Sequence, residues 1–232
     1  MKYENTMEGI FLERPNRFIA VIEIGGRPER CHVKNTGRCR ELLIPGVKVI
    51  VQFCGNPARK TEYDLIAVWK GRTLINMDSQ APNRVVYEML QEGRLLEKIS
   101  LIKPEKVFRH SRFDFYVETE NRKIYMEVKG VTLEEKRNAY FPDAPTERGV
   151  KHLNELRECV REGYEAYVIF VVQMKGIQCF LPNRRTHPAF ADALVFAQNA
   201  GVKVLAFDCR VTENSMQIDE KIPVILQEEE MR

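Results

Sequence analysis

Between Gly9 and Met77 the apolar residues come only in short runs: FIAVIEI, VKVIVQF, YDLIAVW and TLINM. Turn formers cut them apart at Gly25-Gly26-Arg27-Pro28, Pro45-Gly46, Gly55-Asn56-Pro57 and Lys70-Gly71. Short β-prone runs at that spacing predict a small barrel or sandwich. The stretch Asp78-Ser79-Gln80-Ala81-Pro82-Asn83 reads as a domain junction, and beyond it the pattern changes. Helical and strand-like segments alternate to the end, as in an α/β domain. The expected division is 1–80 and 81–232.

Five strands in about 75 residues would suit an OB-type barrel, a shape that often binds single-stranded nucleic acid. Shape alone does not establish that role. A short helix is expected over Arg38–Leu43, after the turn Asn35-Thr36-Gly37. The net charge is only +3, but residues 1–80 hold 13 Lys+Arg against 9 Asp+Glu. The first third is therefore the better candidate for contact with a polyanion, beside the plainer reading of a solvated basic surface.

Composition excludes several classes. No apolar run approaches the ~20 residues a membrane span needs. The start, MKYENTMEGIF, lacks the basic-then-apolar layout of a signal peptide, so a cytoplasmic location is expected. The six cysteines form no Cys-x-x-Cys pair and read as buried, reduced thiols. The four histidines are scattered, and no zinc site is expected.

In the second part a helix is predicted over roughly Arg84–Ile99. Val85, Val86, Met89, Leu90 and Leu96 form its buried stripe, Asn83 is its N-cap, and Gly93 weakens its middle. A second helix is predicted from Thr146 to Glu162, behind Pro145. Val150, Leu153, Leu156, Arg157 and Val160 fall on one side of it. Arg148, His152 and Glu155 share another. AYVIFVVQ reads as a buried strand, and IQCFLP, the helix AFADALVFAQNA and the strand VKVLAFDC complete the α/β pattern.

Between the two helices lies FDFYVETENRKIYMEVKGV, residues 113–131. It reads as two strands joined near Glu120-Asn121-Arg122. Such a hairpin pairs residues whose numbers sum to roughly 241–243, which sets Asp114 opposite the Glu127–Lys129 region. Alternation puts Glu127 and Lys129 on one face and Ile124, Met126 and Val128 on the other. Two carboxylates and an ammonium would converge at one sheet edge, a set that binds a divalent cation and steadies a phosphate under attack by water. The triplet alone is weak, because Glu134–Lys136 and Asp219–Lys221 repeat it. A solvent-facing hairpin with an incidental salt bridge is the bland alternative. Glu88, on the helix before the hairpin, offers a third carboxylate, with Glu92 one turn away. Arg148, Lys151 and His152, on the helix after it, are either phosphate contacts or an ordinary polar helix face, and His32, Lys34, Thr36 and Arg38 in the first part either bind backbone phosphate or form a turn with exposed basic residues. Phe53, Tyr63 and Trp69 are either base-stacking platforms or core.

The order helix, strand, strand, helix, strand resembles the PD-(D/E)xK nuclease core. Over nearly its full length the chain resembles the sugar fermentation stimulation protein A family. The residues that carry this are His32-Val33-Lys34-Asn35-Thr36-Gly37-Arg38, Glu41-Leu42-Leu43, Pro82-Asn83-Arg84, Arg112-Phe113-Asp114, Glu127-Val128-Lys129, Val131-Thr132-Leu133 and the long run FPDAPTERGVKHLNEL. The resemblance implies an N-terminal OB-like barrel, a C-terminal nuclease-like α/β domain with a central mixed sheet, and DNA binding. It implies Asp114 and Glu127 as metal ligands, Lys129 as the catalytic lysine and Glu88 as the helix acid. Phe113 stands where the motif usually has proline, which is not a ligand.

Two functions stay open at this point. One is a Mg²⁺- or Mn²⁺-dependent nuclease acting on DNA or RNA. The other is a non-catalytic, largely nonspecific DNA-binding regulator linked to sugar metabolism. A module for a nucleotide or small anion is weaker, because no phosphate loop is present. Oligomeric state is open, and no membrane partner is expected.

Overall fold

The computed structural model describes residues 1–35, 37, 39–56 and 58–226. Six strands come first: β1 (Thr6–Asn16), β2 (Ile19–Ile24), β3 (Arg27–Val33), β4 (Lys48–Phe53), β5 (Tyr63–Lys70) and β6 (Thr73–Asn76). Their order is β3-β2-β1-β4-β5-β6, and β3 also pairs in parallel with β5 through Cys31↔Tyr63, His32↔Asp64 and Val33↔Leu65. That extra pairing closes an OB-like barrel of five strands. Gly25 and Gly26 both take positive φ in the β2–β3 turn, a conformation that side chains resist and tight hairpins require. Phe11, Ile22, Val33, Val49, Val51 and Leu65 fill the interior. β1 and β3 are absent from the apolar runs because they are rich in charged and other polar outward residues. The helix expected over Arg38–Leu43 is absent among the described residues. The amides of Leu42 and Leu43 both donate to the Cys39 carbonyl, which makes one turn and no more.

The second part contains α1 (Ala81–Gln91), β7 (Ile99–Phe108), β8 (Ser111–Thr119), β9 (Lys123–Val131), β10 (Leu133–Glu135), β11 (Asn138–Phe141), α2 (Glu147–Arg161), β12 (Glu165–Val172), β13 (Cys179–Pro182), α3 (Pro188–Asn199), β14 (Lys203–Thr212) and β15 (Ser215–Ile222). The main sheet runs β15-β14-β12-β9-β8-β7. Its centre, β9-β12-β14, is parallel, and the flanking pairs are antiparallel. The result is a mixed α/β architecture. One sheet face packs on α1 through Phe115, Met126, Val128 and Ile169. The other packs on α2 and α3 through Phe113, Tyr125, Val168 and Phe170.

Both main helices end sooner than, or as, their glycines dictate. α1 stops at Gln91 because Gly93 takes φ +69°. The Arg94 and Gly93 amides then close back on the Met89 and Leu90 carbonyls. Gly93 is the stop signal, not a weak point inside the helix. Gln80 occupies the N-cap position, so Asn83 lies within the first turn and its side chain is free for other work. In α2 the Thr146 hydroxyl caps the Gly149 amide.

The two parts share one apolar cluster: barrel residues and Cys39, Leu42 and Leu43 join Val131, Ala139 and the α2 face. Residues 1–3 run beside β15 and not in the barrel, with Tyr3 N donating to the Asn214 carbonyl. All six cysteines are free, and five are buried. Burial pushes the thiols of Cys31, Cys39 and Cys159 up to about 12, which leaves them inert at neutral pH. No helix among the described residues is long and apolar enough to cross a membrane.

Candidate metal and phosphate site

β8 and β9 pair in the expected register: Phe115↔Met126, Tyr116↔Tyr125, Val117↔Ile124 and Glu118↔Lys123. Ile124, Met126 and Val128 enter the α1-side core, so Glu127 and Lys129 face α2. Asp114 sits where regular alternation breaks. Phe113 packs on the α2 side and Phe115 on the α1 side, although residues two apart on a regular strand share a face. The Asp114 side chain takes over the ladder there: Oδ2 accepts the Val128 amide at 2.7 Å, and Oδ1 accepts Asn83 Nδ2 at 2.8 Å. Asn83 reaches it because α1 begins at Ala81.

Glu127 is 4% exposed. Its Oε1 accepts Lys129 Nζ at 2.6 Å and His152 Nδ1 at 2.5 Å. Its Oε2 is buried and has no hydrogen-bond partner. Such an orphan costs on the order of 1–3 kcal/mol, more for a charged group. Burial pushes the Glu127 carboxyl up, but the His152 hydrogen bond and the Lys129 charge overcome it and hold the group below its ordinary value. Asp114 goes the other way. Burial, then repulsion from Glu127, raises its carboxyl against the pull of Val128, Asn83 and Lys129.

His152 is 4% exposed and lies on the buried face of α2 beside Leu153 and Leu156, edge-on to the Phe113 ring at 5.9 Å. The helical pattern had placed it on a polar side, as a phosphate contact. Its burial turns it inward onto Glu127 instead. Arg148 Nε donates to His152 Nε2 at 3.4 Å, and Arg148 itself is exposed. Because a guanidinium only donates, Nε2 accepts, and the ring proton sits on Nδ1, facing Glu127.

The remaining candidates scatter. Glu88 pairs with the amino-terminal ammonium at 2.6 Å. It lines a cavity of about 630 Å³ that also touches Asn83, Arg84, Tyr87, Glu105 and Asp114. Lys34 is half-buried between Asp64 at 3.1 Å and Asp78 at 3.3 Å, so it is committed to internal ion pairs. His32 lies 3.5 Å from Asp64. Lys151 is exposed and donates to the His110 carbonyl. Thr36 and Arg38 lie outside the described residues. Phe53 and Tyr63 form a tilted ring pair on the barrel, with Phe53 exposed, whereas Trp69 packs beside Tyr3 and Ile66.

Sequence reasoning missed two polar residues. Asn83 passed for a cap. Gln173, buried at the end of β12, donates to the Asn76 and Asp78 carbonyls and to Asn76 Oδ1. A Cβ on Gly130 would lie 2.5 Å from Gln173 Oε1 and 2.8 Å from Pro82, so Gly130 lets the interdomain link sit directly on β9 next to Lys129. The polar Gln173 that closes the otherwise apolar run AYVIFVVQ was the available signal.

A closed OB-like barrel seated against a mixed sheet, with paired acids and a lysine gathered on neighbouring strands, defines a two-part α/β class. Residues 80–215 match the family described as the sugar fermentation stimulation protein RE domain, and residues 12–77 match the SfsA N-terminal OB domain. The chain belongs to the sugar fermentation stimulation protein family. A sugar fermentation stimulation protein homolog from Desulfitobacterium hafniense (strain Y51) is 60% identical over 228 residues, covering 98% of this chain and all of its own. One from Clostridium beijerinckii is 57% identical, covering 97% of this chain and all of its own. The structure of Pyrococcus furiosus SfsA in complex with Ca²⁺ superposes with a TM-score of 0.88 at 28% identity, over 97% of this chain and 98% of that one.

Proposed function

We propose that this protein is a divalent-metal-dependent phosphodiesterase acting on DNA, with the α/β domain as a PD-(D/E)xK-type nuclease and the barrel as the element that holds the strand. The unpartnered, buried Oε2 of Glu127 carries the reading. A carboxylate oxygen kept out of water without a donor fits a hard cation, and Asp114 supplies the second acid beside it. Two carboxylates suffice for Mg²⁺ or Mn²⁺, because such ions commonly take their other ligands from waters and substrate phosphate. The Ca²⁺ complex of the P. furiosus relative supports a divalent site in this fold. When bound, the cation would polarise the phosphate and lower the pKa of a coordinated water. Asp114 and Glu127 would hold it, with Glu88 as an outer acid. Lys129 Nζ would offset charge developing on the phosphate. Asn83 and the Val128 amide fix the Asp114 carboxylate, and His152 fixes that of Glu127.

Labelled single- and double-stranded DNA and RNA, incubated with and without Mn²⁺, test this. The wild-type protein should cut one class only with metal. Asp114→Asn and Glu127→Gln should each lower cleavage about a thousandfold, the loss of several kcal/mol of charge stabilisation, while binding persists. Cleavage that survives in both variants would refute the assignment.

One observation favours the second reading, a DNA-binding protein that does not cut. Both carboxylate oxygens of Asp114 already accept hydrogen bonds from the protein, from the Val128 amide and from Asn83 Nδ2. That reading expects retention without cleavage under every divalent ion, and binding that weakens linearly on a log–log plot against salt.

A further inference from the structure

We infer that Arg148 and His152 form a positioning relay that ties phosphate contact at the surface to the orientation of Glu127 inside. The inference rests on the metal-site reading above and deepens it. His152 is too buried to touch a polymer backbone, yet it is hydrogen-bonded on both ring nitrogens. One bond goes inward to Glu127 Oε1. The other comes from Arg148, four residues earlier and one turn up the same helix. Arg148 is exposed and spends only Nε on the protein. Its two terminal nitrogens have no protein partner among the described residues. A guanidinium with that end free presents the planar fork that grips phosphate oxygens.

The relay has a defined direction. With Arg148 donating to Nε2, the imidazole must carry its proton on Nδ1, and that proton clamps Oε1. Clamping Oε1 leaves Oε2 as the free oxygen and sets where it points. A phosphate that orders Arg148 therefore orders the Glu127 oxygen meant for the cation. Linkage then requires the converse, that a cation on Glu127 tightens the grip of Arg148 on phosphate by the same factor. His152 is a positioning residue in this scheme, and Arg148 is both a phosphate contact and the first member of the relay.

The test measures the two affinities crosswise on the full chain. Ca²⁺ binding is titrated calorimetrically with and without a short DNA duplex, and duplex binding is measured with and without Ca²⁺. In the wild type each should tighten the other by about tenfold. Arg148→Ala should weaken duplex binding and reduce the mutual tightening to about twofold or less. His152→Ala should lower Ca²⁺ affinity without DNA by about tenfold, the usual cost of losing a group that orients a metal ligand. His152→Asn restores an N–H near the Nδ1 position and nothing at Nε2. It should rescue Ca²⁺ affinity and still lack the tightening, which a purely structural role for His152 would not produce. If Arg148→Ala weakens duplex binding equally with and without Ca²⁺, Arg148 is a simple phosphate contact and the relay is wrong. If His152→Ala binds Ca²⁺ like the wild type, the positioning role is wrong. A wild type that binds duplex but no Ca²⁺ would instead sink the metal site on which the relay stands.

Discussion

Strands β9 and β12 run parallel, side by side, and carry one charge cluster at their start and another at mid-length, where Glu127 pairs with Val168. At the start, Glu165 uses both oxygens: Oε1 accepts Arg122 Nε at 2.5 Å, and Oε2 accepts Arg122 at 2.7 Å and Lys203 at 2.9 Å. Tyr167 completes that cluster. At mid-strand Glu127 uses one oxygen twice and leaves the other unpartnered, although it is far more deeply buried. Arginine-bonded Glu165 is a closed ion cluster about one-third exposed. Glu127 is a buried one left a ligand short. A cluster built only for stability would place its incomplete member where water can finish it. Here the incomplete member is inside, which on the reading proposed above leaves it for a ligand.

The largest break between the two clusters should come from Lys129→Met. Cleavage should fall by about a hundred- to a thousandfold, the range seen when one donor to transition-state charge is removed. Glu127 then also loses a countercharge, so the melting temperature should drop. Added Ca²⁺ should restore it, because a ligand of the native state stabilises by mass action. Arg122→Ala in the other cluster should lower the melting temperature with no recovery by Ca²⁺. If Ca²⁺ rescues both variants or neither, the distinction between open and closed clusters is wrong. A smaller effect should follow Asn83→Ala. Asp114 keeps its bond from Val128 but loses its second donor, and Ca²⁺ affinity should fall about tenfold. Calorimetry on the variant checks this, and unchanged affinity would remove Asn83 from the site.

Much of this is legible in the amino-acid sequence. The β8–β9 register follows from turn position and alternation alone, and it brought Asp114 to Glu127. The barrel was legible from turn spacing, although β1 and β3 were hidden because a two-faced strand shows only half its residues as apolar. β7 was missed because Pro104 and its run of exposed residues suit an edge strand, and an edge carries little hydrophobic signal. β15 had a usable signal, with Met216 and Ile218 buried at period two. The inward turn of His152 was not legible. A histidine beside an apolar stripe reads as polar surface until its partner on the facing sheet is known. The break in alternation at Asp114 was equally hidden, since both Phe113 and Phe115 are core residues and nothing local shows that they serve opposite faces. Position within the fold was readable, and the detail that converts position into chemistry came from contacts between distant segments.

The smallest effect concerns the closed cluster. The bonds from Arg122, aided by Lys203 and opposed by partial burial, hold the Glu165 carboxyl down at about 2. A depressed folded-state value means the native protein favours the ionised form. The contribution to stability is therefore whole above the unfolded value of about 4.3 and is lost as pH falls from there through about 2. Because Glu165 is one-third exposed, screening reduces the energy at stake to about 1 kcal/mol. Thermal melts of the wild type between pH 5 and pH 2, compared with Glu165→Gln, should show the wild type more stable at the upper end. The two curves should converge as the wild type is acidified. The difference should be independent of Ca²⁺ throughout. Curves that stay parallel across this window would show that Glu165 adds nothing through its charge, and the start of β9 and β12 would then lose its standing as the closed counterpart of the site at mid-strand.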